Sequence, residues 1–406
     1  MNHTFEKDAL IRELQDRSRD VGGHPIALEG VKQIAHGIRL RRRIAGGVAA
    51  AAVLSVTVPT AVELTDGTNN TPGPAAPAPF PTVTDTARPL PDGLVVLTTD
   101  GLPRGEDPKV PYILNQERRL VTPGGTVQLP NGYPMITPYD DGWLAVDTGR
   151  SGYQTVMLDE DMNVLSTVPG GPALVLSADG SRVAYVAVND VGETVLVNAS
   201  ADGSDVASSV MPDRREITAV GFLDSDTVLY QTDDVQPIVA AAHPEGAIYL
   251  EGFLNVRAAS EANGLVAGLV SFSDDESCSG VMDPAASTSE VVWKTCDYSL
   301  ETFSADGRFI VAGTAQSDGM GSPTLAILDA QTGEPVVEFK SARGQEVLVN
   351  QTAWEDNDSV IAMVYDDSGE WTMLRATTSG ELEEVTDPRP AIGDSLPYWF
   401  AESPHN

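Results

Sequence analysis

Short hydrophobic runs dominate the chain from Gly93 to about Pro390. They are rich in Val, Ile, Leu and Thr, and Gly, Pro, Asp and Asn separate them. Runs of this kind are typical of β-strands, and the segment shows no convincing 3.6-residue spacing of an amphipathic helix. The pattern therefore predicts a mainly β domain over residues 93–406.

The hydrophobic runs also repeat at a fixed distance. Residues 176–185 and 303–312 both place Ser-Ala-Asp-Gly before a strand, and Ser177 and Ser304 are 127 residues apart. This separation corresponds to three units of about 42 residues, which is the period of a four-stranded propeller blade. The repeat therefore predicts a β-propeller.

A second pattern places a tight turn after a strand in several repeats. Such a turn needs a residue that tolerates positive φ, as Gly and Asn do. We assign this role to Asn163, Gly203, Gly333 and Gly380. These anchors divide the domain into about seven four-stranded blades, although six or eight fit the spacing too. The segments are 94–130, 131–171, 172–213, 214–252, 253–298, 299–345 and 346–392. Residues 398–401 would add a strand that pairs with the first blade and closes the ring.

The N-terminal part of the chain has a different pattern. A basic cluster that ends at Arg43 is followed by nineteen uncharged residues, 44–62. As a helix they would cover roughly 28 Å, which is close to the hydrocarbon thickness of a bilayer. Lys and Arg are enriched on the cytoplasmic side of membrane spans, so this order predicts residues 1–43 inside the cell and the β domain outside. Only seven of the nineteen residues are large and aliphatic, so a cleaved secretory signal and a buried globular helix are the alternatives.

Two segments flank the predicted transmembrane helix. Residues 1–43 contain two short amphipathic stretches, at 5–20 and 26–38. As helices, these stretches must cover their apolar faces with each other, with the membrane surface, or with a partner. Such a partner could be a cytoplasmic regulator, for example a sigma factor, bound through residues 1–38. The alternative is that residues 1–43 form a disordered tail. Residues 63–92 are rich in Pro and Ala and cannot bury a core, so we expect an extended linker.

Charge and cysteine content support this division. Residues 1–62 carry nine Lys/Arg and six Asp/Glu, which leaves 16 and 53 for residues 63–406, a net charge of −37. So acidic a domain would bind neither nucleic acid nor anionic lipid unaided. Cys278 and Cys296 both lie in the exported part, and in an oxidising compartment they most simply form one disulfide.

The histidines and short motifs of the sequence limit which catalytic groups the domain could have. On the predicted outer side of the membrane, the chain has only two histidines. His243 lies in a segment that we expect to be a loop between strands, and His405 lies at the C-terminus. The domain has no Gly-x-Ser-x-Gly elbow and no His-rich metal motif. Its many carboxylates leave a glycan hydrolase as an alternative. The acidic segments 159–163 and 356–358 are expected to be ordinary turns, with a weak calcium site as the alternative. We predict no catalytic residue, no metal site, no cofactor and no enzymatic activity.

The quoted motifs carry a resemblance to known proteins. The Ser-Ala-Asp-Gly strand pairs resemble the repeats of TolB-like and WD40-like propellers. The layout resembles membrane-anchored propeller proteins of actinobacteria, with Leu-Arg-Arg-Arg before an Ala/Val anchor, a Pro/Ala spacer, and Leu-Pro-Arg-Gly-Glu-Asp-Pro at residues 102–108. The resemblance implies a fold but no particular reaction. No Gly-His or Trp-Asp dipeptide occurs in residues 93–406, so no WD40 binding residue is carried over.

These observations together give a functional prediction. We expect a single-pass cell-membrane protein, not an enzyme, that presents a propeller outside the membrane and binds a protein or glycan of the cell envelope. The alternatives are a transmembrane regulator of a cytoplasmic partner and a carboxylate-dependent envelope glycan hydrolase.

Overall fold

The computed structural model describes residues 94–401 apart from nine short gaps. The gaps are 150–151, 212–216, 233–238, 244–245, 274–275, 286–289, 318–319, 342–346 and 393–395. The predicted cytoplasmic segment 1–43, membrane span 44–62 and linker 63–92 lie outside the described residues. Within the part that is described, no helix is both long and apolar enough to cross a bilayer.

Strands make up nearly all the regular structure of the described residues, and a single turn of 3-10 helix occupies Asn115–Glu117. The mainly β prediction is therefore confirmed. The strands are β1 (Leu94–Leu97), β2 (Tyr112–Leu114), β3 (Arg119–Thr122), β4 (Gly125–Gln128), β5 (Met135–Tyr139), β6 (Gly142–Gly149), β7 (Gly152–Leu158), β8 (Val164–Leu176), β9 (Arg182–Val188), β10 (Thr194–Ser200), β11 (Val206–Val210), β12 (Ile217–Asp224), β13 (Thr227–Thr232), β14 (Val239–His243), β15 (Gly246–Tyr249), β16 (Asn255–Ala259), β17 (Val266–Phe272), β18 (Ser277–Asp283), β19 (Glu290–Thr295), β20 (Tyr298–Phe303), β21 (Phe309–Thr314), β22 (Thr324–Asp329), β23 (Pro335–Ser341), β24 (Leu348–Trp354), β25 (Ser359–Tyr365), β26 (Glu370–Thr377), β27 (Leu382–Glu384), β28 (Arg389–Pro390) and β29 (Tyr398–Phe400).

Hydrogen bonds join these strands into six sheets. Their strand orders are β29-β2-β3-β4, β5 through β11, β12 through β15, β16 through β19, β20 through β23 with β1 beyond β23, and β24 through β27 with β28 beside β26. The long strand β8 divides the seven-stranded sheet, because its first part pairs with β7 and its second part with β9. We call the resulting four-stranded groups units 1 to 7, beginning with β29-β2-β3-β4. The number of blades and the closure of a ring stay predictions.

The middle strands of the units are buried on both faces. Residues 183–187 of β9 and 360–364 of β25 are all buried. A strand that is covered on both faces has no solvent side, so its sequence is a continuous apolar run and does not alternate with polar residues. This burial explains why the sequence shows uninterrupted Val-, Ile- and Ala-rich runs.

Seven hydrophobic clusters connect the units, and each cluster combines residues of two consecutive units. The pairs of units are 1 and 2, 2 and 3, 3 and 4, 4 and 5, 5 and 6, 6 and 7, and 7 and 1. In the last of these, Met363 and Trp371 of unit 7 pack with Tyr398 and Phe400 of unit 1. The packing order of the units therefore returns to its start.

The C-terminal strand belongs to the first unit, as predicted. β29 pairs antiparallel with β2, and Tyr112 lies opposite Phe400 in the register. The amide of Ile136 in unit 2 donates to the Ala401 carbonyl over 2.9 Å. The two ends of the domain are thus joined in one sheet.

One predicted boundary is wrong. The segment 94–130 was expected to form a single blade, but β1 pairs parallel with β23 of unit 6. We call residues 94–111 the N-terminal strap, because the Gly105 amide then donates to the Glu384 carbonyl in unit 7 over 2.8 Å. A four-residue strand has no pattern that identifies its partner, and this partner lies more than two hundred residues away in the sequence.

A buried arginine holds the strap against unit 7. Nε and Nη2 of Arg375 donate to the two carboxylate oxygens of Glu355 over 2.5 and 2.8 Å. Nη2 is also 3.3 Å from the Glu106 carbonyl oxygen in the strap. Hydrogen bonds to Glu355 raise the pKa of Arg375 above its ordinary value, so the guanidinium stays charged.

Candidate functional site

One strand from each unit lies in a row at the centre of the domain. In this row β5, β8, β12, β16, β20, β24 and β29 contact each other in turn. Residues of six of the seven units, unit 2 being the exception, line a cavity of about 300 Å³ beside this row. Concave sites between converging elements are where small ligands and partner side chains generally bind, so this cavity is the candidate site.

Bulges in the central strands place the polar residues of the site. Val256 pairs with Gly268 and Ala258 with Ala267, so Arg257 is the extra residue of a bulge in β16. The register of β20 also shifts between Leu300 and Phe303. A bulge leaves a residue outside the ladder and redirects its side chain, and bulges are common beside functional sites. Arg257 accordingly lines the cavity.

Arg257 has an acidic neighbour on the next central strand. The Thr352 hydroxyl donates to Oε2 of Glu301 over 2.6 Å. Burial raises the pKa of Glu301, while that hydrogen bond and the Arg257 charge oppose the rise. Burial likewise lowers the pKa of Arg257, and Glu301 opposes this. Arg257 is nevertheless exposed to solvent, and it belongs to the cavity lining.

The rest of the cavity wall is largely apolar. Phe222, Phe303 and Phe400 belong to three different units and line it together with Trp354. The indole Nε1 of Trp354 donates to the Thr302 carbonyl over 3.0 Å, and its ring stacks on Phe309 with 6.5 Å between ring centroids. Trp354 is therefore held in a fixed orientation and offers an aromatic surface.

The Ser-x-Asp-Gly motifs form turns at the ends of central strands. The hydroxyls of Ser177 and Ser304 donate to Asp179 and Asp306, each over 2.8 Å. Hydrogen bonds from Ser181 and Ser177 lower the pKa of Asp179 to about 2. These aspartates are therefore charged acceptors that organise their own turns.

A third turn occupies the equivalent place after β16 but lacks the aspartate. Ala262 stands where an acceptor would be needed, and the Ser260 hydroxyl is buried with no hydrogen-bond partner among the described residues. Oε2 of Glu261 accepts a hydrogen bond from the Ala178 amide over 2.8 Å. Glu261 belongs to unit 5 and Ala178 to unit 3, and both line the cavity. This hydrogen bond therefore links two units at the mouth of the cavity.

The tight-turn prediction holds at three of four positions. Gly203, Gly333 and Gly380 have positive φ, but at the fourth turn the positive φ falls on Met162, at 65°, and not on Asn163. The Met162 side chain is 6% exposed and packs in the cluster between units 1 and 2. Core packing thus places Met162 at a positive-φ position that the turn preference alone would give to Gly or Asn.

The two acidic segments are hydrogen-bonded turns. Oδ1 of Asp159 accepts from the amides of Asp161 and Asn163 over 3.0 and 2.8 Å. Oδ1 of Asp356 accepts from the Asp358 amide over 2.9 Å. The carboxylates that were considered as calcium ligands therefore act as caps of their own loops.

The histidine and cysteine predictions have different outcomes. His243 was expected in a loop but is the last residue of β14 and pairs with Gly246, because the run of small apolar residues before it continues the strand. His405 lies outside the described residues. Cys278 in β18 and Cys296 just after β19 form a disulfide, as the sequence indicated.

The central polar group was not identified from the sequence. Arg257, Glu301 and Thr352 lie in three strands that are far apart in the chain. The one available signal was a charged residue inside the run Asn-Val-Arg-Ala-Ala, where a strand buried at the centre of a domain would be apolar. The position of Arg257 in the cavity lining explains why a charged residue occurs in this strand.

Comparison with known proteins gives structural likeness alone. No protein-family model matches the chain, and no curated protein sequence does. The β-propeller domain of the trilobed protease from Pyrococcus furiosus is similar, with 12% identity, a TM-score of 0.42, and coverage of 62% of this chain and 85% of that one. The acylaminoacyl peptidase of Pyrococcus horikoshii has 13% identity, a TM-score of 0.41, and coverage of 61% and 44%. TolB of Acinetobacter baumannii has 14% identity, a TM-score of 0.36, and coverage of 64% and 69%.

These similar structures are β-propeller proteins, as the resemblance in the sequence implied. They transfer no binding site and no activity to this chain. They also correct the prediction that the chain is not an enzyme, because two of the three come from a protease and a peptidase. A propeller-like architecture therefore gives no ground for ruling out a reaction.

Proposed function

We propose that residues 94–401 form a seven-bladed propeller that binds a protein partner at the mouth of its central cavity. The observation that carries this proposal is the cavity itself, which the central strands of six units line with aromatic side chains and one guanidinium. The packing of each unit against the next, and of unit 7 against unit 1, supports a closed ring. Aromatic residues and arginine are the side chains that contribute most to protein interfaces.

We further propose that the domain is displayed in the cell envelope. Residues 44–62 would cross the membrane, with residues 1–43 in the cytoplasm and 63–92 as a linker. The charge difference between the two parts of the chain supports this topology, and so does the disulfide between Cys278 and Cys296, which suits an oxidising compartment. Protease added to intact cells should release the domain; its complete protection would contradict the outer location.

The partner site is tested by cross-linking in the cells that make the protein. A photo-reactive amino acid at Ala305, which is exposed and lines the cavity, should give one discrete protein adduct. The matched control carries the same group at Ser208, which is exposed on the edge strand β11 and lies outside the cavity lining. The adduct at Ala305 should weaken when Trp354 is replaced by Ala. No adduct at Ala305, or equal adducts at both positions, would contradict the proposal.

A further inference from the structure

We infer that the central cavity recognises a carboxylate that is attached to an apolar group, and that Arg257 is the residue that binds it. This inference rests on the proposed binding role of the cavity mouth and names the chemistry that the mouth selects. The carboxylate can come from the C-terminus of a partner chain or from an acidic side chain within it. The two sources share the same recognition and are separated by the experiment below.

The charges of the lining support an acid as the ligand. Among the described residues that line the cavity, Arg257 is the single basic side chain. The acidic lining residue, Glu261, already accepts a hydrogen bond from the Ala178 amide. A ligand that enters therefore meets a guanidinium at one place and a carboxylate that is already engaged at another.

A ligand in the cavity can reach Arg257, because its side chain is exposed and belongs to the cavity lining. A guanidinium has five N–H donors in a planar fork, so it can contact more than one acceptor at the same time. Planar, two-point recognition of a carboxylate is what arginine provides and lysine does not.

The walls favour an apolar group next to the acid. Trp354 is half-buried and contributes aromatic surface, while the buried rings of Phe222, Phe303 and Phe400 pack within the wall. The volume of about 300 Å³ is at the lower end of the range of small-molecule pockets. The cavity thus suits a single side chain or chain terminus. Apolar walls also reduce the local dielectric constant, which strengthens a charge pair formed between them.

The position of Arg257 indicates that it was not placed there for packing. It is the extra residue of a β-bulge, is exposed and lines the cavity, while its sequence neighbours Val256 and Ala258 are buried in the core. A buried strand would gain stability from an apolar residue at this place. The bulge therefore places a cation at the cavity and interrupts the regular pairing of β16 with β17.

The test uses the solubilised full-length chain and two pairs of isosteric probes in titration calorimetry. N-acetyl-leucine and N-acetyl-leucinamide differ in a terminal carboxylate. Acetyl-Leu-Asp-amide and acetyl-Leu-Asn-amide differ in a side-chain carboxylate and have blocked ends. We expect an acid to bind about tenfold or more tightly than its amide, since a hydrogen bond to a charged group contributes that much. Preference in the first pair identifies a chain terminus as the source, and preference in the second identifies an internal acidic residue.

Variants assign the preference to Arg257. Arg257→Met should abolish it, Arg257→Lys should leave an intermediate preference, and Glu301→Gln should strengthen binding of the acid by removing a competing carboxylate. Arg119→Met is the matched control, because Arg119 pairs with Glu117 on unit 1 and does not line the cavity. Arg257→Lys keeps the inference testable if Arg257→Met fails to fold.

Several results would overturn the inference. These are equal binding of acids and amides, a preference that survives in Arg257→Met, and no binding of either acid up to its solubility limit. If the preference is lost while the Ala305 adduct persists, the inference fails and the proposed protein partner stands. If the preference is present while no adduct forms, the protein partner fails and the carboxylate site stands.

Discussion

At the scale of single residues, the site depends on a few polar groups held in apolar surroundings. Glu301 illustrates the balance, because burial raises its pKa and the Thr352 hydroxyl and Arg257 oppose that rise. Ser260 illustrates an unbalanced group, because its buried hydroxyl has no partner among the described residues. Both give predictions with a definite sign.

Replacing Ser260 by Ala should leave the free energy of unfolding unchanged or raise it. The change removes a buried hydroxyl that makes no hydrogen bond, and such a group costs about 1–3 kcal/mol. Ser304→Ala is the matched control and should destabilise by about 1 kcal/mol, because the Ser304 hydroxyl donates to Asp306 and accepts from the Phe309 amide. Urea unfolding of both variants measures the difference. If Ser260→Ala costs as much as Ser304→Ala, the hydroxyl has a partner in solution.

Replacing Glu301 by Gln should change how stability depends on pH. The pKa of Glu301 is raised on folding, so between its unfolded and folded pKa values the folded state binds more protons and stability falls as pH rises. Relative to Glu301→Gln, the wild-type chain should therefore gain stability as the pH is lowered from about 7 towards the unfolded pKa of about 4.3. Urea unfolding of both proteins across this range measures it. A relative loss of wild-type stability on acidification would mean that ion pairing, and not burial, dominates at Glu301.

At the scale of elements, the N-terminal strap explains how the chain enters the domain. Its strand β1 covers the outer edge of unit 6, its next segment bonds to unit 7, and Val110 and Pro111 at its end line the cavity. Edge strands are open to unwanted pairing, and the strap covers two of them with the chain's own backbone. The same segment thus joins the outer rim of the domain to the mouth of the site.

Replacing Arg375 by Met should loosen the strap and destabilise the domain by about 3–5 kcal/mol, because it removes the guanidinium that pairs with the buried side chain of Glu355 and leaves that side chain the Lys109 amide as a donor. Arg104→Met is the matched control, since Arg104 pairs with Glu384 and Asp387 at the surface, where such pairs contribute about 0–1 kcal/mol. Urea unfolding measures the cost, and limited proteolysis at residues 98–109 reports the strap. Equal effects of the two substitutions would show that Arg375 does not hold it.

At the scale of the whole molecule, the sequence predicted the repeating architecture better than the site. The 127-residue spacing of Ser177 and Ser304 and the C-terminal strand at Tyr398 were read correctly, because turn motifs and apolar runs are local signals. The pairing of β1 with β23 and the positive φ of Met162 were not, because tertiary packing decides both. Arg257 was missed for a related reason, since a bulge breaks the two-residue period on which strand assignments rest.

The central claim is that strand β29 closes the ring of units and thereby encloses the site. Hydrogen exchange of the full-length chain, followed by mass spectrometry of its peptides, tests this most directly. If the ring is closed, the amides of Tyr112–Leu114 and Tyr398–Phe400 should exchange at the same rate as each other. That rate should be as slow as the rate of the buried strand β25. If the amides of β29 exchange rapidly while β25 stays protected, the ring is open and the account is contradicted.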